Sequence, residues 1–155
     1  MTSTAVISTI DDFLDEEDLT YYRSLVLKSK TAQTIIEDAT VPAKFWAKYQ
    51  TKLKDHFEAL HLEGLYPKVT MTNSKKPVIR HIDAKFKDER YKILIYLNDV
   101  HRGGTLFFDD KKKVVITNKQ NRLVLFDISL PHESQDFTVF ESPNIKKLAI
   151  GFRVY

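Results

Sequence analysis

Three residues of this 155-residue chain have the types and spacing of a metal site: His81, Asp83 and His132. His81 and Asp83 are two positions apart, and residues i and i+2 of a β-strand project from the same face. His132 follows 49 residues after Asp83 (132 − 83 = 49) and is the candidate third ligand. Two histidines and one carboxylate would occupy one side of an Fe(II) ion and leave its other coordination positions open.

The remaining histidines do not complete such a site. His56 and His61 lie five residues apart on a predicted helix and do not share a face, and His101 falls in a predicted turn. A His-x-Asp triplet can also arise by chance, as a surface pair or around a hydrogen-bonded structural histidine. The chain has no cysteine, so disulfides and cysteine nucleophiles are excluded and any metal is held by nitrogen and oxygen.

The last predicted strand, Lys147–Tyr155, has two different faces. Leu148, Ile150, Phe152 and Val154 form an apolar face that suits a packed layer. The opposite face carries Lys147, Ala149, Gly151 and Arg153. Two cations beside two small residues would leave room for a dianion and neutralise it. A solvent-facing strand is the alternative interpretation, but alanine and glycine are poor strand residues.

A second predicted strand, Tyr91–Asn98, offers two further polar groups on one face, Lys92 and Tyr96. The tyrosine hydroxyl can donate a hydrogen bond and the lysine can supply a positive charge. Either group could reach a carboxylate inside a barrel, although Lys92 could equally point outward at the strand end.

The hydrophobic pattern changes from helical to β along the chain. A short strand is predicted at Ala5–Ile10, one helix from Asp15 to about Lys28, and a second helix from near Pro42 to Gly64. Alternating residues then predict eight strands. These are Lys68–Thr72, Val78–Asp83, Tyr91–Asn98, Thr105–Phe108, Lys113–Thr117, Arg122–Asp127, Phe137–Phe140 and Lys147–Tyr155.

This order of elements predicts a mostly β fold of the α+β class, with a double-stranded β-helix (jelly-roll) core flanked by two helices. We expect a single domain over residues 1–155, in which residues 1–64 form a helical support region and residues 65–155 form the core.

Composition indicates a globular protein of ordinary polarity, with 43% apolar and 29% charged residues. The net charge of +3 is small and the lysines are scattered, which gives little support to nucleic-acid binding. No segment reads as a secretory signal or a membrane span. We therefore expect a cytoplasmic location and no membrane association.

Taken together, these motifs resemble the 2-oxoglutarate- and Fe(II)-dependent dioxygenase superfamily and are most similar to its prolyl 4-hydroxylase-like branch. The resemblance covers nearly the whole chain in the family's order. The segments that carry it are Ile10–Glu17, His81–Asp83, Tyr96–Asn98, Gly103–Leu106, Arg122–Phe126 with Pro131-His132, and Lys147–Tyr155.

The resemblance implies that His81, Asp83 and His132 are the catalytic iron ligands. It also implies Fe(II) as cofactor, 2-oxoglutarate and O2 as co-substrates, and ascorbate as a candidate reductant. The reaction implied is a hydroxylation that releases succinate and CO2.

The same resemblance gives candidates for binding 2-oxoglutarate. In the prolyl hydroxylase branch the basic residue that pairs with the far carboxylate begins the last strand, which points to Lys147. Related demethylating enzymes use two arginines six residues apart, a spacing that Lys147 and Arg153 share (153 − 147 = 6). Tyr96 matches a tyrosine that holds the same carboxylate. Fifteen residues separate the last triad histidine from Lys147 (147 − 132 = 15), longer than usual, so Lys146 and Lys92 stay alternatives.

The implied substrate is a protein side chain of the prolyl type, or a free amino acid or small metabolite; a nucleic acid is disfavoured. The loop Phe86–Arg90 is the predicted substrate rim. The alternative function is a non-catalytic, cupin-like metal- or ligand-binding module. A hydrolytic zinc enzyme ranks last because no general base accompanies the triad. The sequence leaves the oligomeric state open.

Overall fold

The structure, a computed structural model, describes residues 5–83, 88–110, 112–137 and 145–155. The helices of this part of the chain are α1 (Glu16–Leu27) and α2 (Thr40–His56), followed by a 3-10 turn at Glu58–Leu60. The strands are β1 (Ile7–Ile10), β2 (Gln33–Ile36), β3 (Leu65–Ser74), β4 (Tyr91–Tyr96), β5 (Thr105–Asp109), β6 (Lys112–Ile116), β7 (Leu123–Asp127), β8 (His132–Ser134) and β9 (Lys147–Val154).

The strands form two antiparallel sheets. The larger sheet has six strands in the order β1-β7-β4-β9-β3-β2, and the smaller has three in the order β6-β5-β8. This is the predicted mostly β, jelly-roll architecture flanked by two helices. Two strands from the first 64 residues, β1 and β2, are the edges of the larger sheet. No helix among the described residues has the length and apolarity needed to cross a membrane.

The helices cover one face of the larger sheet. The side chain of Asp15 caps α1 by accepting a hydrogen bond from the backbone N–H of Asp18 at 2.8 Å. From α2, Phe45 stacks on Phe152 of β9 with ring centroids 4.3 Å apart. Phe152 belongs to the apolar face predicted for the last strand. That face therefore packs toward the helices, and the opposite face of β9 turns toward the smaller sheet.

A second apolar cluster lies between the two sheets. Its buried members are Tyr96, Phe107, Val124, Phe126 and Leu130. Alternate residues of β4 consequently have different surroundings, because Ile93 and Ile95 join the helix-side core while Tyr96 joins the inter-sheet core. Because side chains alternate along a strand, one face of the larger sheet can place polar side chains in the space between the two sheets.

One predicted strand is wrong, two short strands were missed, and one predicted strand lies mostly outside the described residues. Val78–Asp83 is not a strand: His81 makes only an isolated antiparallel bridge with His132. Residues 75–80, which include Pro77 without a backbone N–H, stay outside the sheets. The short strands β2 and β8 were not predicted, since four and three residues are too few to show a period. For Phe137–Phe140, Phe137 is not in a strand and the rest lies outside the described residues.

The side chain of Asn121, in the turn before β7, is hydrogen-bonded to the backbone just before α1. Removal of this side chain should destabilise the fold. The side chain accepts a hydrogen bond from the N–H of Leu14 at 2.8 Å and donates one to the carbonyl of Leu14 at 2.7 Å. We expect Asn121→Ala to lower the free energy of unfolding by about 2–4 kcal/mol, because two buried backbone groups lose their partners. Urea denaturation measures the change.

A glycine variant separates the two contributions at this position. Asn121 has a φ of 65°, a conformation that glycine adopts freely and alanine does not. Asn121→Gly should therefore lose less stability than Asn121→Ala. An unchanged denaturation midpoint in both variants would contradict the role assigned to this side chain.

Candidate metal centre and co-substrate cavity

The three predicted metal ligands converge in the structure. One ligand atom from each of His81, Asp83 and His132 lies within 4.8 Å of the others. The distance is 3.3 Å from His81 Nε2 to Asp83 Oδ1 and 3.6 Å from His132 Nε2 to Asp83 Oδ2. Two backbone hydrogen bonds of 2.9 Å between His81 and His132 hold the two segments in register.

Backbone carbonyls orient both imidazoles so that Nε2 faces Asp83. Nδ1 of His81 lies 2.8 Å from the carbonyl oxygen of Ile79, and Nδ1 of His132 lies 3.0 Å from that of Leu130. A carbonyl oxygen only accepts hydrogen bonds, so each Nδ1 carries the proton and donates it. Each Nε2 is then the ring atom that faces Asp83 and would bind a metal once it carries no proton, which is the orientation that metal-bound histidines use.

The protonation states also suit a metal site. Burial acts to raise the pKa of Asp83, but its hydrogen bond with His81 and the positive charge of Lys92 outweigh burial and hold that pKa well below its ordinary value. Burial lowers the pKa of His132, which favours the neutral imidazole. The aromatic ring of Phe126 lies against that imidazole, with centroids 5.0 Å apart. The hydrogen bond with Asp83 raises the pKa of His81, so a bound metal would have to replace the proton on its Nε2.

One carboxylate oxygen of the site is buried without a well-aligned hydrogen bond. Among the described residues, none donates a well-aligned hydrogen bond to Oδ2 of Asp83, and the groups beside it are the ammonium of Lys92 at 3.3 Å and Nε2 of His132 at 3.6 Å. A metal cation among the carboxylate and the two Nε2 atoms would be attracted by the carboxylate charge and could accept a lone pair from each imidazole. Two histidines and one carboxylate match the donor set of a non-haem Fe(II) site, so the residues fit that metal.

A cavity adjoins the two histidines and extends between the sheets. His81 and His132 line it together with Thr105, Ser134, Ala149 and Lys147. Residues from both sheets therefore form its wall. Leu94 and Phe126 add an apolar part to this lining.

Lys147, which was predicted to bind the co-substrate, lines this cavity. Its side chain is almost fully buried, and burial lowers its pKa to about 7. Its ammonium group lies 3.4 Å from the hydroxyl of Ser134 and 5.3 Å from the ring centre of Tyr96. Within the described parts of the chain, no carboxylate forms an ion pair with it. A buried ammonium group without a counter-ion is unfavourable, so this end of the cavity suits an anionic ligand.

The other basic candidates have different surroundings. The guanidinium of Arg153 lies 3.3 Å from both carboxylate oxygens of Glu89, and Arg153 is not among the residues that line the cavity. Lys146 is exposed. Lys92 lines the cavity, but its ammonium group lies 3.3 Å from Oδ2 of Asp83.

Tyr96 lies behind the cavity wall. Its hydroxyl is 2.6 Å from that of Thr105, which does line the cavity, and burial raises the pKa of Tyr96 to about 12. The phenol is therefore neutral. Thr105 was not predicted as a cavity residue, and a lone threonine at the start of a strand gives no signal that would have found it.

Comparison with known proteins identifies the family. The profile described as the 2OG-Fe(II) oxygenase superfamily matches residues 47–152, which is 106 of the 155 residues (152 − 47 + 1 = 106). The chain belongs to this superfamily. It is an Fe(II)- and 2-oxoglutarate-dependent dioxygenase, an oxidoreductase that uses O2. The sequence has no match among the curated proteins.

Solved structures share the fold of this oxygenase at low sequence identity. A prolyl-4-hydroxylase from Pseudomonas putida aligns with a TM-score of 0.64 at 18% identity, over 97% of this chain and 92% of its own. A Trichoplax adhaerens prolyl hydroxylase, solved with a hypoxia inducible factor peptide fragment, gives 0.64 at 21% identity over 96% and 83%. A Burkholderia pseudomallei oxidoreductase of the 2OG-Fe(II) oxygenase family gives 0.70 at 10% over 96% and 83%.

The structure changes the interpretation of Gly151 and describes only part of the predicted substrate rim. Ala149 lines the cavity as expected, but the space beside Gly151 is already filled: a Cβ there would lie 3.1 Å from Cε of Lys92. Gly151 thus accommodates a lysine and not a ligand. In the predicted rim, Arg90 donates hydrogen bonds to the carbonyls of Leu60 and His61. Phe86 and Lys87 of that rim lie outside the described residues.

Proposed function

We propose that this oxygenase holds Fe(II) through His81, Asp83 and His132 and binds the far carboxylate of 2-oxoglutarate with Lys147. The observation that carries this assignment is the buried ammonium group of Lys147 in the cavity that His81 and His132 also line. A dianion that reached from the metal to Lys147 would neutralise the cation that the fold has buried.

Each part of the site has a separate task. When bound, the iron would supply the oxidative chemistry, in which O2 converts 2-oxoglutarate to succinate and CO2 and one oxygen atom enters a substrate C–H bond. The carbonyls of Ile79 and Leu130 orient the two imidazoles. Lys147 positions the co-substrate, and the apolar wall of Leu94 and Phe126 excludes water from it.

For the substrate we favour a polypeptide, with a prolyl side chain as the group that is hydroxylated. The side chain of His81 is 37% exposed, so the metal site would be reached from the surface. Ile79 and Ile82, on either side of it, are 81% and 58% exposed. Exposed apolar residues beside a reactive site are suited to contact a peptide. The Trichoplax protein was solved with a peptide, which makes the same class of substrate a reasonable one to test.

The first test is succinate formation by protein loaded with Fe(II) and supplied with 2-oxoglutarate and O2. We expect slow succinate production without a substrate and faster production with proline-containing peptides, in which mass spectrometry should find one added oxygen atom. If succinate appears but no peptide accelerates it or gains oxygen, the peptidyl substrate is wrong and small metabolites become the next class to screen. Absence of both succinate and 2-oxoglutarate binding would remove the proposed site.

A further inference from the structure

Lys92 is a buried lysine that the co-substrate assignment does not use. It lies on β4, between β7 and β9 in the larger sheet. Its ammonium group is 3.3 Å from Oδ2 of Asp83, and both side chains are 8% exposed. Burying a lysine is unfavourable, and its placement against one oxygen of a metal-binding carboxylate therefore needs a reason.

The fold makes specific room for this lysine. Gly151 lies diagonally across from it on the neighbouring strand β9, and a Cβ at Gly151 would lie 3.1 Å from Cε of Lys92 and 3.6 Å from Cβ of Thr70. The side chain of Lys92 thus passes over Gly151, and its ammonium group lies beside Asp83. The absence of a side chain at position 151 allows the ammonium group to occupy this place.

The position of the ammonium group affects how Asp83 can bind a metal. Oδ1 faces Nε2 of His81 at 3.3 Å, whereas Oδ2 faces the ammonium group of Lys92 at 3.3 Å and lies 3.6 Å from Nε2 of His132. A carboxylate binds a metal through one oxygen or through both, and the two-oxygen mode uses an additional coordination position. A cation held against Oδ2 competes with the metal for that oxygen and favours binding through Oδ1 alone.

We propose that Lys92 is a positioning residue that holds Oδ2 of Asp83, so that Asp83 gives the metal one oxygen and leaves a coordination position open for 2-oxoglutarate. This inference rests on the proposed metal site. It gives the two buried lysines of the cavity different tasks: Lys92 acts on the metal ligand, and Lys147 acts on the co-substrate.

Replacement of Lys92 by methionine tests this role, with Mn2+ as the metal and no turnover required. Water-proton relaxation counts the water molecules on bound Mn2+. We expect about three in the wild type, where three protein ligands leave three positions of an octahedron, and about two in Lys92→Met, where Asp83 can bind through both oxygens. The affinity for 2-oxoglutarate should fall about ten- to hundredfold, the range typical of lost outer-shell partners.

Lys147→Met is the matched control, since it removes the other buried ammonium group of the same cavity. It should weaken 2-oxoglutarate binding without changing the number of waters on Mn2+. Gly151→Ala is a milder second variant, which keeps the charge but displaces Cε of Lys92. It should change the water number in the same direction as Lys92→Met, by a smaller amount.

The outcomes distinguish this inference from the proposed site. If the wild type binds no Mn2+ or Fe(II), the site and the role of Lys92 both fail. If the wild type binds Mn2+ and Lys92→Met keeps the same water number, the site stands and the positioning role is wrong. The role is also wrong if a folded Lys92→Met protein binds no Mn2+, because the lysine would then be needed for the ligand set itself.

Discussion

Replacement of Asp83 by alanine is expected to remove metal binding and turnover together. Asp83 is the anionic member of the proposed ligand set, and without it two neutral imidazoles face a metal ion beside the positive charge of Lys92. We expect the affinity for Mn2+ or Fe(II) to fall by more than about a hundredfold, beyond the effect typical of outer-shell partners. Titration with Mn2+ followed by electron paramagnetic resonance measures the affinity, and the succinate assay measures turnover.

The control for this variant is a carboxylate that lines the adjoining cavity. Glu133 lines the cavity beside His132 but pairs with the exposed Arg80, at 3.4 Å. Glu133→Gln should bind Mn2+ as the wild type does. Wild-type affinity in Asp83→Ala, or an equal loss in Glu133→Gln, would contradict the ligand assignment.

Loss of stability can be separated from loss of the ligand. Asp83→Ala leaves the ammonium group of Lys92 buried without its counter-ion, and breaking a buried pair in this way typically costs about 3–5 kcal/mol. The double variant Asp83→Ala with Lys92→Met removes both charges. It should recover much of the stability but none of the metal binding.

Replacement of Lys147 by methionine should have the second largest effect, on 2-oxoglutarate and not on the metal. A hydrogen bond to a charged group contributes about 1.5–3 kcal/mol, so its loss should raise the KM for 2-oxoglutarate about ten- to hundredfold. The affinity for Mn2+ should stay within about threefold of the wild type. An unchanged KM would mean that another residue binds the far carboxylate.

The same lysine predicts a pH dependence whose sign can be stated. Burial lowers the pKa of Lys147 to about 7 in the ligand-free protein, so the ammonium form predominates below pH 7 and is lost above it. A dianion binds the ammonium form, and binding should therefore weaken by roughly tenfold for each pH unit above 7. Calorimetric titration of the Mn2+ form with 2-oxoglutarate between pH 6 and 9 measures this slope.

Arginine at the same position provides the control. A guanidinium stays charged throughout this range, so Lys147→Arg should bind 2-oxoglutarate with a much flatter pH profile. The other titratable groups that line the cavity are Lys92, His81, His132 and Glu133. A slope that persists in Lys147→Arg would assign the titration to one of them.

The convergence of the proposed metal ligands was predicted from an argument that was only partly right. The spacing of His81 and Asp83 was interpreted as two positions on one strand, but this segment forms a single bridge with His132. Their side chains still converge because hydrogen bonds to a segment about 50 residues away hold the backbone in place. Such a long-range pairing leaves no periodic pattern in the local sequence.

The two faces of the last strand were predictable, and the roles of its cations were not. Alternation placed Phe152 toward the helices and Lys147 toward the cavity, since a strand has a period of two. The partner of Arg153 is Glu89, which lies 64 residues away in the sequence and is fully buried. Nothing local in the sequence distinguishes this glutamate from an exposed one, so Lys147 and Arg153 could be separated only in three dimensions.

A crystal structure of the protein grown without oxygen, with Mn2+ and 2-oxoglutarate, tests the central claim most directly. The anomalous signal of manganese locates the metal without reference to the protein. We predict one peak bonded to Nε2 of His81, Nε2 of His132 and one oxygen of Asp83, with the far carboxylate of 2-oxoglutarate on Nζ of Lys147. A metal bound elsewhere, or a 2-oxoglutarate carboxylate held by Arg153 in place of Lys147, would contradict this account.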